Sequence, residues 1–406
     1  MAKSNIITGL DIGTNKVRVV VASVKDEAKP RIIGVGESNS FGMRKGVVVD
    51  IEEMTASIKK AVEQAERGSG VSIDRAYVGI GGSHIKAKSS KGAVAVSRAD
   101  EEVSQEDTIR AINNASAVSL DPNREVIHII PREFSIDGQE GIHDPRGMTG
   151  VRLEVDTLII EGLSPNIKNL RKCLENAKIN VQDLVLDILA ASQSVLTRKQ
   201  KELGVLLLDL GGGTAGMTVY EEKKLIHVHV LPIGSSHITN DIAIGLRSSI
   251  ETAERVKLDF GSCLPNEISK RDEIDLSKID DKEEGIANRR EIAKIIEART
   301  EEIFALVNKE LKKINRERLL PSGAVLVGGG AKTPGIIDLA KEKLKLPVQV
   351  SYPQGIDGLV DKVDDPTYAT AVGLIFWALE MENKPIIPAG TNTVNKIKGW
   401  FRNFLP

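Results

Sequence analysis

The sequence predicts an α/β protein built from two related domains that face one another. Three observations carry this expectation: one meander template occurs twice, each copy bears a glycine-containing turn at the same place, and helical periodicity follows each copy. Residues 6–36 read IITGLDIGTNKVRVVVASVKDEAKPRIIGVG, and residues 204–234 read GVLLLDLGGGTAGMTVYEEKKLIHVHVLPIG. Each copy is an apolar run ending in Leu-Asp-x-Gly, a turn containing Thr, a second apolar run, a charged turn, a third run and a glycine. Aliphatic and β-branched runs punctuated in this way read as antiparallel strands. Helical spacing then runs from Ile51 to Arg67 after the first copy and from His237 to Leu246 after the second.

The turns carry the chemistry. In the first, Asp11 ends a strand and Gly13, Thr14, Asn15 and Lys16 reverse the chain; in the second, Asp209 is followed by Gly211, Gly212, Gly213 and Thr214. Glycine lets backbone N–H groups approach an anion with no Cβ in the way. Lys16 adds a positive charge, and Asp11 and Asp209, one from each domain, suit a Mg²⁺ ion held through its waters. One such turn reads equally well as a plain glycine hairpin; two with matched Asp and Thr point to nucleotide phosphates. A third glycine element, Gly328-Gly329-Gly330 in VLVGGGA, follows a strand and precedes a helix expected near Thr333-Pro334. Glu254 and Lys257 lie three apart on one helical face, where an ordinary solvated ion pair is the alternative.

Composition narrows the class. The chain has 406 residues, 41% hydrophobic and 28% charged, with a net charge of −2, so no global basic field draws it to nucleic acid. Cys173 and Cys263 form no metal or redox spacing and read as free thiols. His227 and His229 share a strand face with no third ligand in sequence, and read as ordinary sheet residues. The N-terminus enters a strand with no leader pattern, and no apolar run approaches the ~18–20 residues of a spanning helix.

Together the turns resemble those of the actin, sugar-kinase and heat-shock-chaperone superfamily, whose members clamp ATP and Mg²⁺ between two like domains. The resemblance makes LDIGTNK the first phosphate loop, DLGGGT the second and VGGGA the adenosine loop, and brings Glu254 and Lys257 to adenine and ribose. Where that superfamily often has an acidic residue two positions after the second-loop Thr, this chain has Gly216, which implies at most a slow ATPase. The group that activates water is expected in LVLDILAASQSVL, with Asp187 and Gln193 as polar candidates; Asp187 as cap of a helix starting near Leu189 is the alternative.

The branch is identified between the halves. VGIGGSH at 78–84 and IHIIPREFSIDGQEGIHDPRGMTGVRLEVDTLII at 127–160 resemble the small inserted domain of the FtsA family, bacterial actin-like cell-division proteins. Read locally, these are strands (Val126 to Ile129, Leu153 to Thr157) joined by DGQ and DPRG turns. The resemblance implies an actin-like fold of two RNase-H-like domains around a nucleotide cleft. It assigns 1–83 with 162–198 to the first actin-like domain and 84–161 to the inserted domain. Residues 199–235 with 320–381 form the second, 236–319 a second small domain, 382–393 a linker and 394–406 an amphipathic membrane-targeting helix. It also implies self-association into filaments, docking of the FtsZ C-terminal peptide on 236–319, contacts with later division proteins, and a place on the cytoplasmic face of the plasma membrane at the division site.

The tail supports the membrane reading on its own terms. Aromatics are 3% of the chain, yet Trp400, Phe401 and Phe404 fall in its last seven residues. On a helix, Val394, Ile397, Trp400, Phe401, Phe404 and Leu405 span an arc of about 140°, flanked by Lys396 and Lys398 with Arg402 on the polar side. That is the pattern of an interfacial helix on anionic lipid. Each basic residue contributes about 1 kcal/mol there, and a buried apolar side chain up to about 1.5–3 kcal/mol. The gain per chain is modest, so linking chains in a polymer multiplies it. The competing reading is a small-molecule kinase of the same superfamily, which needs a substrate pocket and has no use for such a tail. A chaperone needs a peptide-binding domain for which there is no room, and the rod-shape and pilus branches lack the insert or the tail.

Overall fold

A computed structural model describes residues 5–25, 29–117 and 121–382. The expected linker beyond Glu382 and the amphipathic segment 394–406 lie outside the described residues.

In chain order, β1 (Asn5–Ile12), β2 (Lys16–Val24) and β3 (Arg31–Asn39) form the first meander, followed by a small hairpin of β4 (Met43–Arg44) and β5 (Val47–Val48), helix α1 (Ile51–Ser69) and β6 (Arg75–Ile80). The insert holds β7 (Lys86–Ala95), α2 (Gln105–Ser116), β8 (Arg124–Ile136), β9 (Gln139–Ile142) and β10 (Arg152–Leu163). The chain returns through α3 (Ser164–Asn176), β11 (Asn180–Leu186) and α4 (Asp187–Val195), then crosses by α5 (Arg198–Leu203) to β12 (Val205–Leu210), β13 (Ala215–Glu221) and β14 (Lys224–Leu231). Helices α6 (Ser235–Leu246) and α7 (Ile250–Phe260) follow, then the ribbon of β15 (Glu273–Asp275) and β16 (Ile286–Asn288), and α8 (Arg289–Lys313). The last stretch is β17 (Ala324–Val327), α9 (Ile336–Leu344), β18 (Val348–Val350), β19 (Asp357–Gly358), α10 (Val360–Val363) and α11 (Ala369–Glu382).

The repeat in the sequence is a repeat in topology. One sheet runs β11-β6-β1-β2-β3-β19 and the other β14-β13-β12-β17-β18. In each, the meander is antiparallel and its first strand takes a parallel neighbour on the other side, β6 beside β1 and β17 beside β12. The alternation of short-range hairpins with a helical crossover is what builds this mixed sheet. The insert is an antiparallel sheet, β7-β10-β8-β9, with α2 on one face and its own small core around Phe134, Leu153 and Ile112.

Helix α1 shows how local signals set an element. Asp50 caps it by accepting from the Glu53 amide (3.0 Å), and Gly70 ends it in a left-handed conformation with φ 71°. Its buried face, Met54, Ile58, Ala61 and Ala65, settles on β3 so closely that a Cβ at Gly36 would lie 2.0 Å from the Ala61 carbonyl oxygen.

Two expectations are corrected here. The stretch 320–381 does not belong wholly to the second half: β19 pairs with β3, and α11 buries Ala371, Val372, Ile375 and Ala378 in a core shared with Ile7 and Val20 of the first sheet. A helix apolar all round needs cover on every side, and that sheet and α4 supply it. Gly373 is where α11 crosses α4, a Cβ there lying 1.9 Å from the Ala190 carbonyl oxygen. Asp187 caps no helix either: α4 begins at Asp187 itself, with Leu186 at the cap position and no side-chain cap.

The insert joins the body at a polar knot. His84 Nδ1 accepts from the Leu163 amide (3.3 Å), tying the turn that enters the insert to the strand that leaves it, and Arg124 donates to the His84 carbonyl (3.0 Å) and pairs with buried Glu161 (3.4 Å). Burial, then the Arg124 charge, push the His84 imidazole down to about 4. Between pH 6.5 and 4 the unfolded chain therefore binds a proton that the folded chain does not, and stability falls as pH falls through this window. Urea unfolding at pH 7 and pH 4.5 is expected to show an acid loss smaller by about 2 kcal/mol in His84→Asn, which keeps an acceptor without the titration.

Candidate functional site

The two glycine turns have the same geometry and meet across a cleft of about 490 Å³ between the sheets, within the roughly 300–1,000 Å³ range of small-molecule sites. The Gly13 amide donates to the Lys16 carbonyl (3.0 Å). A Cβ on Gly13 would lie 2.9 Å from that oxygen, and a Cβ on Gly211 2.9 Å from the Thr214 carbonyl oxygen. The turns touch: a Cβ on Gly212 would lie 2.5 Å from Asn15 Oδ1 and one on Gly213 2.6 Å from Thr14 Oγ1, while Ser236 Oγ of α6 donates to Asn15 Oδ1 (3.1 Å). The Gly46 amide, from the β4–β5 hairpin, donates to Thr14 Oγ1 (3.1 Å).

Three carboxylates line the cleft. Asp11 is the penultimate residue of β1, Asp209 the penultimate residue of β12, and Asp187 opens α4 straight from β11. The backbone around them is pared down to fit: a Cβ at Gly79 or Gly81 would lie 2.4 or 2.2 Å from an Asp187 oxygen, and one at Gly328 would lie 2.2 Å from Asp209 Oδ1. Gly328 has φ 83°, so glycine is required there twice over. Burial pushes Asp11 up to about 7, with Arg18 pulling it down and Asp209 adding to the rise. Burial likewise raises Asp209 to about 6 against the pull of Arg18, and raises Asp187 well above the usual range with help from Asp11 and Asp209. Asp187 Oδ1 is buried with no hydrogen-bond partner among the described residues. Crowded, partly orphaned carboxylates below amide-bearing turns suit a hydrated divalent cation with an anion of phosphate type.

At the far end, Lys257 Nζ reaches Glu254 (2.7 Å), Thr239 Oγ1 (2.8 Å) and the Ser235 carbonyl (3.4 Å), and Thr239 donates to Glu254. The pair is thus fixed in a network on the cleft wall rather than solvated. Gly328, Gly329 and Gly330 also line the cleft. The glycines themselves wind into a short turn, Gly329–Lys332, and the helix begins only at Ile336, because Pro334 and Gly335 intervene.

Asp11, Gly13, Thr14, Asn15, Lys16, Asp209, Gly211, Gly212, Thr214, Glu254 and Lys257 line the cleft with Asp187. Gly213 does not; its backbone packs on Thr14 and Lys45. Gln193 does not either: it faces Lys201 (3.1 Å) and Glu380 (3.5 Å) behind the cleft. Sequence reading missed Arg18, directly across from Asp11 in the β1–β2 pairing, with its guanidinium on Glu37 (3.0 Å) and 5.3 Å over the Tyr368 ring. The signal was present: Arg18 is the one charged residue inside VRVVVA. His227 and His229 do acquire a carboxylate neighbour, Glu310, at 3.4 and 3.8 Å. Among the described residues, no group of three or more His, Cys, Asp or Glu is placed to hold a metal ion directly. No helix among them is long and apolar enough to cross a membrane.

Raised carboxyl pKa values mean that the folded cleft, without nucleotide, binds protons the unfolded chain has released, so its contribution to stability falls as pH rises from about 4 through about 7. Asp187→Asn is expected to stabilise the nucleotide-free protein more at pH 8 than at pH 5.5, read from urea midpoints in chelator. Equal midpoints at both pH values contradict this account of the cleft.

Comparison with known proteins identifies the family and the fold. A family model described as cell division protein FtsA matches residues 206–373, and one described as the SHS2 domain inserted in FtsA matches residues 82–161. The chain is 40% identical to cell division protein FtsA of Bacillus subtilis, covering 93% of this chain and 84% of that one. It is 37% identical to that of Pseudomonas aeruginosa (93% and 90%) and 33% to that of Escherichia coli K12 (98% and 97%). Among solved structures the fold is shared with a PilM–PilN type IV pilus biogenesis complex, at TM-score 0.67 and 15% identity over 93% of this chain and 99% of that one. It is shared also with MreB5 of Spiroplasma citri bound to ADP, at TM-score 0.55 and 13% identity over 93% and 98%. With 33–40% identity over nearly its full length to these relatives, the chain belongs to the FtsA family of cell division proteins.

Proposed function

We propose that the protein is an ATP-binding, actin-like scaffold that polymerises on the cytoplasmic membrane at the division site, tethers the FtsZ ring there and recruits later division proteins. The observation that carries the nucleotide part is the pair of like turns meeting over a cleft floored by three carboxylates. The same fold is seen bound to ADP and to AMPPNP in MreB5 of Spiroplasma citri.

In this reading the amides of Gly13 to Lys16 and of Gly211, Gly212 and Thr214 hold the phosphates, and Lys16, 2.9 Å from Glu37, supplies a positive charge beside them. Asp11 and Asp209 hold Mg²⁺ through its waters, and the ion offsets phosphate charge when bound. Asp187, with its orphaned oxygen in the cleft, accepts the proton of the attacking water. Turnover is slow, because Gly216 supplies no second acidic group. Glu254 and Lys257 meet the ribose and base, with Gly328 to Gly330 in the same cleft. Closure over the nucleotide favours head-to-tail contacts between chains, and residues 394–406 fix the polymer to anionic lipid. Residues 236–319 receive the FtsZ C-terminal peptide, and the insert meets other copies and later division proteins.

Co-sedimentation with anionic liposomes in Mg-ATP tests this. The full chain is expected to pellet, a chain ending at Asn392 to stay in the supernatant, and Trp400→Glu to abolish pelleting. If both lengths pellet alike or neither does, residues 394–406 are not the anchor. Asp209→Asn is expected to raise the Mg²⁺ concentration needed for ATP binding by roughly tenfold, through loss of one water-mediated carboxylate; an unchanged requirement removes Asp209 from the ion site.

A further inference from the structure

We propose that His128, a residue of the inserted domain, is a positioning residue for Asp187, so that the insert reaches into the nucleotide site through one side chain. The proposal rests on the reading that the cleft turns over Mg-ATP.

His128 lies on β8, 3% exposed, and its Nε2 accepts a hydrogen bond from the Leu186 amide at 3.0 Å. Leu186 is the last residue of β11 and the cap position of α4, and Asp187 is the next residue. No side chain caps α4, so its first residue is placed by what holds the strand end. Because Nε2 accepts, the ring proton is on Nδ1. The register of β8 against β10 explains how a strand of the insert delivers this contact. Ile160 pairs with His128 and Glu161 with Val126, so Ile127 is skipped in a bulge that re-aims the side chain beside it.

The contact is braced. The imidazole lies 5.3 Å from the Trp377 ring at 57°, and Trp377 Nε1 donates to Asp183 Oδ2 at 3.1 Å, three residues before Leu186 on β11. Strand β8 of the insert, strand β11 and helix α11 are therefore pinned at one point. A second route converges there. The chain enters the insert through Gly81, Gly82 and His84, and a Cβ on Gly81 would lie 2.2 Å from Asp187 Oδ2. His84 in turn holds Leu163, where the chain leaves. Both attachments of the insert thus end at Asp187, one on the amide of the residue before it and one against its carboxylate. A shift of the insert is felt by the group that orients water, and an error near 1 Å in such a group costs up to roughly 100-fold in rate.

The test uses the full chain and two variants. His128→Phe keeps the ring against Trp377 and removes the acceptor; His128→Gln restores an acceptor at the Nε2 position. In nucleotide-free protein, amide hydrogen exchange at Leu186 is expected to be about tenfold faster in His128→Phe and near the parent rate in His128→Gln. Single-turnover ATP hydrolysis is expected to fall roughly tenfold in His128→Phe, with Mg-ATP affinity within twofold, and to recover in His128→Gln. In an Asp187→Asn background, His128→Phe is expected to add nothing, because it acts through Asp187. Hydrolysis within twofold of the parent, or a loss of the same size without Asp187, overturns the proposal and leaves the nucleotide reading standing. A parent that binds no Mg-ATP, or binds it and never turns it over, overturns both.

Discussion

The structure depends on holding Asp11, Asp187 and Asp209 in one cleft. Each stands at a strand end or a helix start, where backbone geometry leaves no freedom to retreat, and burial favours their neutral forms. Arg18 offsets part of their repulsion but is itself committed to Glu37 and Tyr368. The glycines at 79, 81 and 328 are the geometric counterpart of this constraint, because any side chain there would displace a carboxylate. Strain of this kind is kept only where the surrounding fold over-determines it, and such places are functional sites.

That over-determination comes from how the halves are tied. The chain crosses once through α5 and returns through β19 and α11, so the first sheet is closed by segments that follow the second in sequence. Behind the cleft, Lys201 lies over the Tyr220 ring at 5.0 Å and donates to Gln193, with Ser192 and Tyr220 hydrogen-bonded beside it. Burial brings Lys201 down to about 8, as expected of an ammonium packed at a dry crossing. The front of the cleft carries charge and glycine, and the back carries packing.

The insert is more than an appended surface. It has its own sheet and core, yet its attachment is built from buried polar contacts at His84, Arg124, Glu161 and His128 rather than from a loose linker. Contacts of this kind fix one arrangement, since breaking any of them leaves a buried polar group unpaired.

The two meanders, their turns, the helical stretch that becomes α1, and the DGQ and DPRG turns of the insert were legible because they follow from neighbours a few residues apart. The glycine-turn residues that line the cleft were legible for the same reason, and their duplication pointed to a shared cleft. Residues 394–406 were read from helical periodicity, clustered aromatics and the family resemblance, and that segment lies outside the described residues. Tertiary structure decided the rest. It moved α11 from the second half to the first, because an all-apolar helix goes where cover is available. It set Arg18 across from Asp11, sent Gln193 to the back and Asp187 to the front of one helix, brought Glu310 to His227 and His229, and carried His128 to Leu186. Each of these pairs residues far apart in sequence or depends on which face of an element is covered, and local patterns carry no information about either.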